Sequence, residues 1–83
     1  MKVRVQLYEK WDRMSFDVKA DSPVASLKRD ALVEFGLDPA VAADYEIKLR
    51  GFEIRNELET VGASGAKDGS TFLVAYRRRR AVR

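Results

Sequence analysis

The chain has 83 residues, a length that makes one domain with a single modest core. It holds no cysteine and no histidine, which excludes disulfides, thiol nucleophiles and thiolate metal sites, and removes the commonest general base and metal ligand. The formal charge of +3 averages two unlike parts: residues 1–76 carry 11 Lys/Arg against 13 Asp/Glu, a net of −2, while residues 77–83 carry five arginines, a net of +5.

Met1 to Leu7 alternates strictly, with Met1, Val3, Val5 and Leu7 on one side, and predicts a strand with one wet and one dry face. Tyr8 to Arg13 interrupts that pattern with charges and the lone Trp11. Met14 to Lys19 resumes it, with Met14, Phe16 and Val18 inward. The two strands read as an antiparallel hairpin, although no Asn-Gly or Asp-Gly fixes the turn type. Asp21 to Gly36 follows as the one convincing helix. Ser22 is placed to cap it, Pro23 suits its first helical position, and Gly36 is a ready left-handed terminator. Val24, Leu27, Ala31 and Phe35 make its apolar stripe, with Lys28, Arg29 and Glu34 expected on the other side. A helix of about three to four turns is marginal alone in water, so the stripe must lie on a partner.

Leu37-Asp38-Pro39 is a turn in which Asp38 should be extended, and Ala40 to Asp44 can form a short helical turn. Tyr45 to Arg50 alternates again, with Ile47 and Leu49 flanking Lys48. Gly51 turns the chain into a short strand, Phe52-Glu53-Ile54. Asn56 to Lys67 is expected to be a loop with a turn of helix, anchored by Leu58, Val61 and Ala66. Asp68-Gly69 signals a turn before Ser70 to Tyr76, whose apolar residues on both faces suit a central strand. The order is ββαβββ, without repeats or an internal linker. If the first and last strands pair parallel in mid-sheet, the helix can cross one face and every stripe is covered. That arrangement is an α+β β-grasp, with a mixed four- to five-stranded sheet and one helix. The rival ferredoxin-like layout needs a second full helix, for which residues 56–67, with Gly62 and Gly65, are poor material. The domain is read as residues 1–76 and residues 77–83 as a basic, flexible tail.

Three patterns in this order resemble the ubiquitin-like family. Asp21 to Lys28 is similar to the family's helix opening. Ile47-Lys48-Leu49-Arg50-Gly51-Phe52-Glu53-Ile54 resembles its third strand, glycine turn and short fourth strand. Thr60-Val61 with Gly65 to Val74 resembles its last loop and strand. Conjugating members of that family end in a di-glycine; here the strand runs into Arg77-Arg78-Arg79-Arg80-Ala81-Val82-Arg83, and Gly69 is the last glycine. The family's main partner surface is an apolar patch on the open face of the sheet. Its third-strand position matches Lys48, its last-strand position matches Ala75, and its hairpin position matches Tyr8 or Trp11. The patch is therefore expected to be more polar here, with Arg4 and Gln6 outward beside Lys48. In length and tail the chain is similar to small bacterial ubiquitin-like proteins, including those accompanying type VII secretion. That resemblance implies a bacterial, cytoplasmic, monomeric adaptor.

The chemistry-bearing residues point the same way. Without His or Cys, the carboxylates and serines have no partner for nucleophilic or acid–base work, so no enzyme is expected. No spacing resembles a calcium or zinc site, and Gly62-Ala63-Ser64-Gly65 lacks the lysine and following helix of a phosphate loop, so no metal, cofactor or small-molecule substrate is expected. No apolar run approaches the ~20 residues of a membrane span, and Met1-Lys2-Val3-Arg4 is not laid out as a signal peptide. Arg77, Arg78, Arg79 and Arg80 can grip an acidic protein, nucleic-acid phosphates or anionic lipid, or can serve only to keep the last strand soluble. Trp11 with Tyr8 can anchor a partner or fold back over the end of the core. The expected function is non-covalent binding to a larger protein, with an acidic surface where the arginines engage it. The alternatives are a modifier joined through its C-terminus and a nucleic-acid-binding accessory.

Overall fold

The computed structural model describes residues 1–77. Strands β1 (Lys2–Leu7) and β2 (Asp12–Asp17) form an antiparallel hairpin. Helix α1 (Val24–Glu34) follows, then a 3-10 segment (Pro39–Asp44) and strands β3 (Tyr45–Leu49), β4 (Phe52–Glu53) and β5 (Thr71–Tyr76). The five strands lie in the order β2-β1-β5-β3-β4. Strand β5 is central, parallel to β1 and antiparallel to β3, as its two apolar faces predict.

Strict alternation sets which side chains go inward. Val3, Val5 and Leu7 of β1, Ile47 and Leu49 of β3, and Phe72 and Val74 of β5 are buried together beneath α1. Met14, Phe16 and Val18 pack against them in part. From the helix come Val24, Leu27, Ala31 and Phe35, the expected stripe, together with Leu32. The helix ends as expected. Gly36 has φ +80°, its N–H bonds to the Val33 carbonyl at 3.0 Å, and the Leu37 N–H bonds to Leu32 at 2.8 Å, closing the last turn.

Four local expectations are corrected. The helix starts at Val24, with Pro23 as an extended N-cap, and no side chain caps it, so Ser22 does not play that part. Backbone acceptors from a distant loop replace it: Val24 N–H bonds to the Glu59 carbonyl and Ala25 N–H to the Glu57 carbonyl, both at 2.8 Å. Lys28 is inside rather than outside, only 3% exposed. It lies one helical turn from Val24 and from Leu32, on the flank of the buried face, and its ammonium donates to the Tyr45 carbonyl and to Glu57 Oε2, each at 2.9 Å. Leu58 is not an anchor but 81% exposed. Asn56 accepts the Leu58 N–H through Oδ1 and the Glu59 N–H through its carbonyl, a turn that sets Leu58 at its apex. Val61 and Ala66 are buried as expected, but the expected turn of helix is not formed: residues 57–58 and 61–65 are turns on either side of the Thr60 bridge to Pro23.

Two substitutions test this core. Leu27→Ala should cost about 2–5 kcal/mol through the cavity it leaves, read from denaturant melting. Lys28→Met should cost about 3 kcal/mol, because it strands the Glu57 carboxylate and leaves the Tyr45 carbonyl with the longer 3.4 Å contact from Arg77; Glu57 is partly exposed, which keeps the figure at the low end for a broken buried pair. Joining it to Glu57→Gln should cost less than the two single changes added together, since both remove one contact.

Candidate functional site

Because β1 and β5 run parallel, the β1–β2 loop and the end of β5 come to the same end of the sheet. Tyr8 N–H bonds to the Val74 carbonyl at 2.9 Å. Glu9 reaches back along the same edge and accepts the Tyr76 N–H at 2.7 Å. On the face opposite the helix, the register sets Gln6 beside Leu73, Leu73 beside Lys48, and Ala75 beside Glu46. Tyr8, Glu9, Glu46, Lys48, Leu73, Ala75 and Tyr76 line one open concavity of about 470 Å³ there.

Three of the residues singled out from the sequence, Tyr8, Lys48 and Ala75, share this concavity. Trp11 stands beside it, its ring 5.6 Å from that of Tyr8. It does not fold over the core: it is 71% exposed, at the end of a four-residue loop between Leu7 and Asp12. Its φ of +58° is a left-handed conformation that a bulky side chain rarely adopts. Arg77 is held by the sheet. Its N–H bonds to the Asp44 carbonyl at 2.6 Å, and its guanidinium bonds to Glu53 at 2.9 Å and the Tyr45 carbonyl at 3.4 Å. Arg78, Arg79 and Arg80 lie outside the described residues.

Sequence reasoning missed Glu9, Glu46 and Leu73 as lining residues, and it placed Tyr76 only as the end of the last strand. Tyr76 packs edge-on against Tyr45, with ring centroids 5.4 Å apart, yet half of it remains exposed. Glu46 and Leu73 follow from the register once β5 is placed between β1 and β3. Glu9 has no comparable signal, since its position depends on the loop conformation. Lys48 pairs with Glu46 at 3.5 Å, so the polar character expected of this face is a coupled pair rather than a free cation. Among the described residues no group of three or more His, Cys, Asp or Glu could hold a metal ion, and no helix is long and apolar enough to cross a membrane.

Acidic groups act on two side chains near this end. Burial is the main reason the Tyr45 hydroxyl titrates above its ordinary 10.0, and Glu9, Tyr76 and Asp44 add to the effect. The hydrogen bond to Glu53 raises the Arg77 pKa above its ordinary value; burial opposes it, and the charges of Glu53, Glu46 and Glu57 add to the rise. Raising the Tyr45 pKa in the folded state makes that state bind a proton that the unfolded chain releases first. The associated stability is present below pH 10.0 and is lost as pH climbs through the folded value. Tyr45→Phe should therefore flatten the alkaline fall in denaturant midpoint while leaving its neutral-pH slope with pH unchanged.

No protein-family model matches the sequence, and no curated protein does. Solved structures do resemble the fold. A ubiquitin from Caldiarchaeum subterraneum superposes with a TM-score of 0.79 at 18% identity, over 95% of each chain. A ubiquitin-like domain from Arabidopsis thaliana, determined in solution, superposes with a TM-score of 0.78 at 17% identity, over 100% of this chain and 84% of that one. A second determination of it gives 0.75 at 15% identity, over 98% and 90%. The strand order, the parallel central pair and the single crossing helix agree with these comparisons: the chain has the ubiquitin-like β-grasp fold.

Proposed function

We propose that this protein is a non-covalent binding module, an adaptor or assembly component that presents the open face, the Tyr8–Trp11 loop and the arginine tail to a larger protein. The observation that carries this reading is the concavity at the end of the sheet. Leu73 and Ala75 form an apolar floor there, half-exposed Tyr8 and Tyr76 stand at its edge, and an exposed tryptophan sits beside it in a left-handed conformation. Backbone strain and exposed aromatics together favour a role outside the fold's own packing. The sequence offers this site no imidazole or thiol with which to do acid–base or nucleophilic chemistry. The tail arginines add a sequence-independent attraction to an acidic partner surface, and that attraction weakens with salt.

The reading is tested by affinity capture from native lysate with four forms of the protein, at low and high salt. Leu73→Glu puts a charge on the floor of the concavity and should abolish capture. Val33→Glu on the exposed outer face of α1 should not. Removing residues 78–83 should leave the denaturant midpoint unchanged, because the domain's own contacts to Arg77 are kept, and should remove the salt-sensitive part of the binding. Capture that is indifferent to Leu73→Glu, or an adduct that survives denaturing washes, would overturn the proposal, the latter in favour of covalent attachment.

A further inference from the structure

We propose that the concavity is a seat for an arginine side chain presented by the partner protein. Leu73 and Ala75 would lie under its methylene stem, the Tyr8 and Tyr76 rings beside its guanidinium, and the Glu46 and Glu9 carboxylates would accept its hydrogen bonds. This rests on the binding-module reading and names the chemistry that the module recognises.

The lining matches an amphipathic cation part by part. Its floor is small and uncharged, the environment in which a long side chain buries its stem while the head stays polar. Its aromatic residues are exposed where a ligand can reach them: Tyr8 is 52% exposed, and Trp11 extends the same aromatic surface. Ring faces attract cations, and a planar guanidinium stacks on them while forking onto a carboxylate, which a lysine ammonium cannot do. The acceptors are placed and underused. Glu9 takes the Tyr76 N–H through Oε2, and no ion pair engages it among the described residues. Among the described residues Glu46 has its ion pair with Lys48, at 3.5 Å, through a lysine whose side chain is about one-third exposed. A contact that long contributes little where both side chains keep some access to water, and it yields to a bidentate partner.

Other occupants fit the lining less well. A carboxylate set on the floor would face Glu9 and Glu46, with Lys48 as its one counter-charge in the lining. A purely aliphatic side chain would strip water from Glu46 and Lys48 and return no hydrogen bond. The guanidinium answers the charge and the shape at once.

The test uses the full chain and a blocked Gly-Leu-Arg-Leu-Gly peptide, followed by amide chemical shifts and by fluorescence of the single tryptophan, Trp11. Saturable shifts centred on Glu9, Leu73, Ala75 and Tyr76 are expected. The same peptide with citrulline, which keeps the shape and loses the charge, should bind at least five-fold more weakly. Glu46→Gln should weaken the arginine peptide by about five-fold, the size of a good partly exposed ion pair. Glu34→Gln, exposed on the helix side, should change nothing. Equal binding of the citrulline peptide, no effect of Glu46→Gln, or shifts mapping elsewhere would each overturn the proposal. So would at least ten-fold tighter peptide binding by a chain ending at Arg77, because the seat would then belong to the chain's own arginines. A dimer in sedimentation equilibrium that dissociates on the same truncation would overturn it in favour of a second copy. If the peptide fails while Leu73→Glu still abolishes capture, only the arginine seat falls. If Leu73→Glu has no effect on capture, the binding-module reading falls with it.

Discussion

The Tyr45 carbonyl is the point on which the fold converges. It accepts the buried Lys28 ammonium from the helix at 2.9 Å and the Arg77 guanidinium from beyond β5 at 3.4 Å. Lys28 passes on to Glu57, and the backbone carbonyls of the loop that carries Glu57 accept the N–H groups of the first turn of the helix. One charged side chain thus joins the helix, the start of β3 and the long loop. A cation removed from water is costly unless its hydrogen bonds are met, and here two of its three are made within the described residues. We read the pair as a device that fixes the loop's position more than as a source of stability.

That loop position matters because the helix has no side-chain cap. A helix start leaves N–H groups without internal acceptors, and the Glu57 and Glu59 carbonyls satisfy two of them. Val61 returns the connection by donating to Ser22 at 2.8 Å, and Pro23 bridges to Thr60. Residues 57–61 therefore act as a short edge laid against the helix entrance. The strands then have a rigid helix to pack on, and the concavity at the far side of the sheet takes its shape from their register.

Much of this was legible in the chain. The alternation of Val3, Val5 and Leu7, and of Phe72 and Val74, gave the strands and their inward faces, and the doubly apolar β5 gave its central place. Gly36 marked the helix end because only a residue without a side chain adopts its φ without strain. Ser22 and Leu58 were misread for a common reason. Each was judged by its own side chain, while the outcome was set by other residues: the Glu57 and Glu59 carbonyls at the helix start, and the Asn56 turn at Leu58. Lys28 was misread because charge normally argues for exposure, and its acceptors lie 17 and 29 residues away. Of the site, Tyr8, Lys48 and Ala75 were visible through the pattern of the sheet, whereas Glu9 and the left-handed Trp11 depend on a loop without glycine.

The parallel pairing of β1 and β5 has a mechanical consequence. Lys2 lies at one end of the pair and Tyr76 at the other, so a pull applied between them runs along the strand axes. The hydrogen bonds between the two strands, such as Arg4 to Ser70 and Tyr8 to Val74, are then loaded together in shear instead of parting one after another. Stretched between two anchor points, this domain would behave as a stiff link, and a tether fixed at those ends would extend elsewhere before the sheet slipped.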